Sequence, residues 1–225
     1  MNIVDLSMPI ETGHIRWPVE RDKRGDFSEG ALFEVSWLHT TCHGYTHVDA
    51  PSHMVQGGAT LSDLDLSRVV NRCAVIDLPV EAEQEIDATT LEQASAGFGN
   101  LANRIVLLRS TWYLKEDYRT EQYWRKAPYL SRDACQWLLD KNPTAVAFDF
   151  PQDWSIRRLL DGVVLPIEEH VSHDVLLRNN VTLIEYLINT HEIKEHEIVL
   201  CAQPLSLPEA DGAPARVIAL ENMNF

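Results

Sequence analysis

His43-Gly44-Tyr45-Thr46-His47-Val48-Asp49-Ala50-Pro51-Ser52-His53 places three histidines and an aspartate within eleven positions. Neutral imidazole plus carboxylate is the donor set that zinc, manganese or iron accepts from a protein. A helix would carry His43 and His47 on one face but turn Asp49 away by roughly 120°. Thr46 and Val48 favour extended backbone and Pro51 restricts Ala50, so the segment reads as a strand. On a strand all four side chains share a face, yet a rise of ~3.3 Å per residue sets His43 and His47 ~13 Å apart. Metal–ligand bonds of ~2.0–2.2 Å therefore demand a bend, and Gly44 is the residue most able to allow it. His47 and Asp49, ~6.6 Å apart along a strand, need none. Two plainer readings compete: a hydrogen-bonded polar cluster, or a solvent-facing strand ended by Pro51.

Outward from this segment, β-type runs recur at residues 33–38, 74–78, 104–108, 145–149 and 198–201, most of them apolar enough for core strands. Helix-like segments lie at 87–96, at 131–140 with Ser131 as N-cap, and at 182–189. The order reads as mixed α/β with strands dominating the first half, and periodicity leaves open whether the sheet closes. The run Glu20-Arg21-Asp22-Lys23-Arg24-Gly25-Asp26 reads as a solvated loop, with a substrate entrance as the alternative. Neither an internal repeat nor a long Pro/Gly/Ser linker divides the chain, so residues 1–225 are expected to form one domain.

Composition narrows the function classes. With 34 acidic against 19 basic side chains the formal net charge is -15, a surface that repels nucleic acid phosphates and anionic membrane headgroups. The opening residues, Met1 to Leu6, lack a basic stretch followed by an apolar one, and no apolar run approaches the ~20 residues of a membrane helix. A soluble cytoplasmic protein acting on a small molecule is the expectation. Cys42, Cys73, Cys135 and Cys201 are scattered without a Cys-x-x-Cys pair, which argues against a zinc knuckle or a disulfide framework. Cys42, beside His43, is the one thiol placed where chemistry is conceivable.

The eleven-residue segment resembles the hallmark of the cyclase-type metal hydrolase family, His-x-Gly-Thr-His-x-Asp-x-Pro-x-His, a family that includes bacterial kynurenine formamidase and isatin hydrolase. One signature position departs: Tyr45 stands where the family usually has glycine. Further likenesses are Asp5-Leu6-Ser7-Met8-Pro9-Ile10 to the opening strand and Trp17-Pro18 to a substrate-contacting Trp-Pro. Arg109-Ser110-Thr111-Trp112 is similar to an Arg-Thr-Gly-Trp stretch, Ala147-Phe148-Asp149 to a strand ending in Asp, and residues 210–216 to the terminal hairpin.

The resemblance implies a mixed α/β fold with a barrel-like β core and flanking helices, assembled as a homodimer or higher homo-oligomer. It implies one or two divalent ions, Zn2+ or Mn2+, held by His43, His47, Asp49, His173 and Glu185, with Asp49 and Glu185 bridging if there are two. His173 and Glu185 enter through the family's spacing of twelve. From the residues alone Thr182-x-x-Glu185 reads as a capping box, and His170 rivals His173. His53 takes the proton-shuttling position. Trp17 is the substrate-contacting residue by position, Tyr45 adds a phenol, and Trp37 and Trp112 are aromatic candidates whose default is packing. The activity implied is hydrolysis of a small amide, formamide or lactam by metal-activated water. A lyase or ring-closing enzyme using the metal to stabilise an enolate is the first alternative, and a non-catalytic metal-binding homologue the second. The run His191 to His196 mimics a zinc-protease motif, but five-residue spacing turns its histidines ~140° apart on a helix.

Overall fold

A computed structural model describes residues 1–223. Twelve strands occur among them: β1 (Asn2–Asp5), β2 (Glu20–Gly25), β3 (Val35–His39), β4 (His47–Asp49), β5 (Val70–Asp77), β6 (Glu85–Ile86), β7 (Ile105–Arg109), β8 (Tyr129–Leu130), β9 (Ala145–Phe148), β10 (Thr182–Glu185), β11 (Glu197–Pro204) and β12 (Gly212–Glu221). Short helices lie between them: α1 (Ala88–Ala94), α2 (Trp112–Lys115), α3 (Glu121–Arg125), α4 (Arg132–Asp140), α5 (Ile156–Leu159) and α6 (Val171–Val175). The main sheet runs β1-β12-β11-β5-β7-β9-β10-β4, and a further β12–β4 pairing closes it. The closure leaves seven strands in a mixed barrel. The β5, β7, β9 and β10 pairings are parallel, and β10–β4, β4–β12, β12–β11 and β11–β5 are antiparallel. β12 can close the ring because its ten residues outrun any one partner. Gly212 to Pro214 pair with β4, and Ile218 to Glu221 pair with β1 along the same edge.

Period-two alternation sorts these strands into two apolar clusters. Val48, Val75, Leu107, Ala147 and Ile184 join the set that fills the barrel, while Ile76, Leu108, Phe148 and Leu183 face outward with the aromatic and helical layer. Fully buried aliphatic side chains contribute ~1.5–3 kcal/mol each, so both layers weigh in the stability. The same alternation decides where β4 and β10 aim their polar residues. Val48 opposes Ile184 in register, so His47, Asp49 and Glu185 point outward into the layer beneath α6.

Several expectations hold. Asp87 and Ser131 cap α1 and α4, accepting from Thr90 N at 2.8 Å and Ala134 N at 3.2 Å. Three are corrected. Residues 182–189 do not form a helix: β10 occupies 182–185, hydrogen-bonded to β9 on one edge and β4 on the other. A β-favouring Thr-Leu-Ile run flanked by two waiting strands follows the sheet, so the apparent capping box at Thr182 caps nothing. Residues 20–26 are not a loop, because β2 covers most of them and pairs with β3. The 33–38 run lies not in the core but in that hairpin, whose β3 residues are all exposed.

Candidate metal centre

The bend needed to bring His43 back to His47 is made across Gly44, Tyr45 and Thr46, after a turn at Cys42 and His43. Tyr45 carries the left-handed conformation, with φ 58°. Gly44 also serves close approach, since a Cβ there would stand 2.7 Å from Thr41 Cγ2 and 3.3 Å from Trp17 Cγ. At the far side of the turn, a Cβ on Gly212 would meet His43 Cε1 at 2.6 Å, so β12 also needs glycine where it passes the His43 ring.

Three imidazoles converge on Asp49. His43 Nδ1 is 2.8 Å and His47 Nε2 3.2 Å from Asp49 Oδ1, and His173 Nε2 is 3.5 Å from Asp49 Oδ2. Glu185 joins them, with Oε2 3.6 Å from His47 Nε2 and Oε1 3.3 Å from His173 Nε2. Each ring is held from behind by its other nitrogen. His47 Nδ1 donates to the Tyr45 carbonyl at 2.9 Å, His173 Nδ1 to Asp153 Oδ2 at 2.7 Å, and His43 Nε2 to Asp211 Oδ2 at 2.9 Å. A carbonyl oxygen can only accept, so Nδ1 of His47 bears the proton and Nε2 turns toward two carboxylates. Carboxylates behind the other two rings do the same work, as partners that fix tautomer and orientation around metal ligands do.

The electrostatics ask for a cation. Asp49 and Glu185 are buried at 1% and 2% exposure, and Asp49 Oδ2 has no hydrogen-bond partner among the described residues. Burial opposes the ionised form of Asp49, but His47, His173 and His43 hold its pKa well below the ordinary carboxylate value. For His43 burial opposes the charge, and Asp49 and Asp211 raise the pKa to about 9. For His173 burial again opposes it, and Asp153, Asp49 and Glu185 push the pKa well above its ordinary value. A buried carboxylate oxygen without a donor, faced by imidazole nitrogens, is what a divalent ion satisfies. The donor set present fits that ion.

His53 stacks on His43 with ring centroids 3.8 Å apart, and its Nδ1 lies 3.8 Å from Asp211 Oδ2. Burial lowers its pKa to about 4 against the pull of Asp49, with His43 and His173 adding to the drop, which keeps the ring neutral. His170, the rival of His173, instead shares its Nδ1 with Ser155 Oγ at 3.0 Å, and the two histidine rings stand 6.2 Å apart.

The cluster forms one end of a cavity of about 380 Å³ walled by Ile156, Leu159, Val164, Leu165 and Ile167, with Arg16 and Tyr186 also lining it. Trp17 and Tyr45 are not among the lining residues. Trp17 packs against Tyr186 with ring centroids 5.3 Å apart, Tyr45 lies 4.8 Å from the Trp17 ring, and the Tyr45 hydroxyl donates to Glu11 O at 2.6 Å. Trp112 is buried with its indole N–H on Tyr123 O, and Trp37 is exposed on β3. Cys42 lies outside the cavity lining, and burial raises its thiol pKa. The zinc-protease mimic is dispersed, His191 beside Tyr113 and His196 beside Asp77. Asp149 clamps a turn rather than a ligand, accepting from Ser110 N, Thr111 N and Thr190 Oγ1 at 2.8, 2.9 and 2.6 Å.

Sequence reading missed Asp153, Asp211, Arg16 and Tyr186 as parts of the site. The 210–216 likeness contains Asp211, and Trp17 and Glu185 are the chain neighbours of Arg16 and Tyr186. Nothing in local pattern marks Asp153, whose role exists only because α6 brings Ser172 and His173 to its carboxylate.

Comparison with known proteins agrees with this architecture. A family described as "Putative cyclase" matches residues 4–152. A kynurenine formamidase of Bacillus cereus is 26% identical over 222 residues, spanning 96% of this chain and 95% of its relative. A solved structure of a potential metal-dependent hydrolase with cyclase activity superposes with a TM-score of 0.73 at 25% identity, covering 99% of each chain. Isatin hydrolase A from Labrenzia aggregata, bound to benzyl benzoate, shares the fold with a TM-score of 0.78 at 19% identity, covering 97% of this chain and 93% of its own. Motif, barrel and convergent imidazoles thus meet in one assignment: the chain belongs to the cyclase family.

Proposed function

We propose that the chain is a metal-dependent hydrolase of small amides, formamides or lactams, of the kynurenine formamidase or isatin hydrolase type. The observation that carries this reading is the convergence of three back-anchored imidazoles on the buried, partly unpartnered Asp49. His43, His47, Asp49, His173 and Glu185 would hold Zn2+ or Mn2+, one ion or two. When bound, such an ion polarises the scissile carbonyl and makes water nucleophilic near neutral pH. The chain's own residues supply the rest. His53, neutral and stacked at the cluster's edge, takes a proton on Nε2 while Nδ1 faces Asp211, and returns it to the leaving nitrogen. The apolar wall excludes water from the reacting bond. Trp17 acts on substrate through Tyr186, whose ring it packs against, and Tyr45 acts through Trp17. The protein works in the cytoplasm as a homo-oligomer, the exposed apolar hairpin β2–β3 being the surface that favours assembly.

The test combines elemental analysis with hydrolysis of N-formylkynurenine, formanilide and isatin in heavy-oxygen water. Chelation and Asp49→Asn should both remove metal and activity. His53→Ala should keep its metal and lose ~10²–10⁴-fold in rate. Turnover that leaves the product free of label would favour the lyase alternative, and bound metal without any turnover the non-catalytic one.

A further inference from the structure

Arg16 lies in the cavity without an acidic partner. Its guanidinium has no carboxylate at ion-pairing distance among the described residues, although the chain carries 34 acidic side chains. Among the cavity's lining residues it is the sole Lys or Arg. Aromatic rings hold it instead: the guanidinium carbon is 4.6 Å from the Trp124 ring centroid, 5.2 Å from Trp17 and 5.5 Å from Tyr186. One N–H donates to Tyr186 Oη at 3.2 Å. A guanidinium has five donors in a planar fork, and ring faces engage its charge without consuming the remaining N–H groups.

Position gives this cation a meaning. Tyr186 follows Glu185 directly, and its ring is 5.5 Å from the His47 ring, so Arg16 stands one aromatic ring away from the metal-site cluster. The cavity therefore combines two polar features with an apolar wall. One is the set of groups placed for amide cleavage, and the other a guanidinium fork held by aromatic rings and suited to bidentate recognition of a carboxylate. A neutral ligand would leave those donors unmatched in a partly desolvated site, at a cost in affinity.

Resting on the hydrolase reading above, we propose that Arg16 is a substrate-recognition residue and that the chain acts on amides or lactams carrying a carboxylate on an apolar or aromatic body. The experiment is calorimetric titration of metal-loaded wild type, Arg16→Gln and Arg16→Lys with benzoate and with its neutral analogue benzamide. Wild type should prefer benzoate, Arg16→Gln should shrink that preference about tenfold or more, and Arg16→Lys should retain part of it because charge persists without the fork. A preference unchanged in Arg16→Gln overturns the proposal, as does wild type binding the two equally. Turnover of 2-formamidobenzoate adds a second readout, with Arg16→Gln raising KM more than it lowers kcat. Should wild type hydrolyse no amide at all, the hydrolase reading fails while the binding comparison still decides the role of Arg16.

Discussion

Tyr45 concentrates the conflict between local preference and tertiary demand. A left-handed backbone costs a non-glycine residue ~1–2 kcal/mol, which makes glycine at this position in the family pattern intelligible. Here the residue is a tyrosine whose ring is fully buried against Trp17 and His14 and whose hydroxyl is bonded to Glu11 O. Removing a buried aromatic side chain costs ~3–5 kcal/mol, more than the strain relieved. Tyr45→Gly is therefore expected to lower stability by about 1–4 kcal/mol in urea unfolding, despite restoring the family's residue. A variant as stable as wild type would mean that the packing contributes no more than the strain removes.

At the scale of elements, the site depends on register. Glu185 meets His47 because β10 and β4 pair with Glu185 opposite His47 and Leu183 opposite Asp49, and a slip of one residue would send the carboxylate into the barrel. The segment before Trp17 is tied down differently. His14 donates from Nε2 to Tyr118 O at 3.2 Å and accepts at Nδ1 from Arg16 N at 3.2 Å, a pairing only the neutral ring can make. Burial lowers its pKa from 6.5, with Tyr118 O and Glu11 opposing the drop. With the folded value below the unfolded one, the unfolded chain binds more protons between the two. The stabilisation from His14 is thus complete above pH 6.5 and is lost as pH falls through the depressed folded value. Unfolding free energies measured from pH 7.5 downward should decline less steeply in His14→Gln than in wild type. Parallel slopes would show that other histidines carry the effect.

At the scale of the molecule, the β2–β3 hairpin forms a sheet separate from the barrel. Leu32, Phe33 and Trp37 are 91%, 64% and 53% exposed, joined by Phe27 and Leu38, an apolar concentration a monomer in water rarely carries. Light scattering coupled to size exclusion should give twice the chain mass or more at micromolar concentration. Leu32→Lys with Trp37→Glu should shift it to one chain mass. A wild-type monomer would sink the assembly reading.

What the sequence by itself determined was local and chemical. Even spacing and β-favouring residues made the 47–49 segment a strand, and donor types marked His43, His47, Asp49 and His53 as one cluster. His173 and Glu185 were reachable through the family's spacing, and their own pattern argued for a helix cap. Tertiary structure decided the rest, because it turned on partners distant in the chain. Sheet pairing on both edges made β10 a strand, closure by β12 set Asp211 behind His43, and α6 set Asp153 behind His173. The left-handed residue of the bend is Tyr45, while Gly44 leaves room for Thr41 and Trp17. A pattern of nearest neighbours records what a residue can do, whereas which residue yields is settled by the contacts that only the closed barrel brings together.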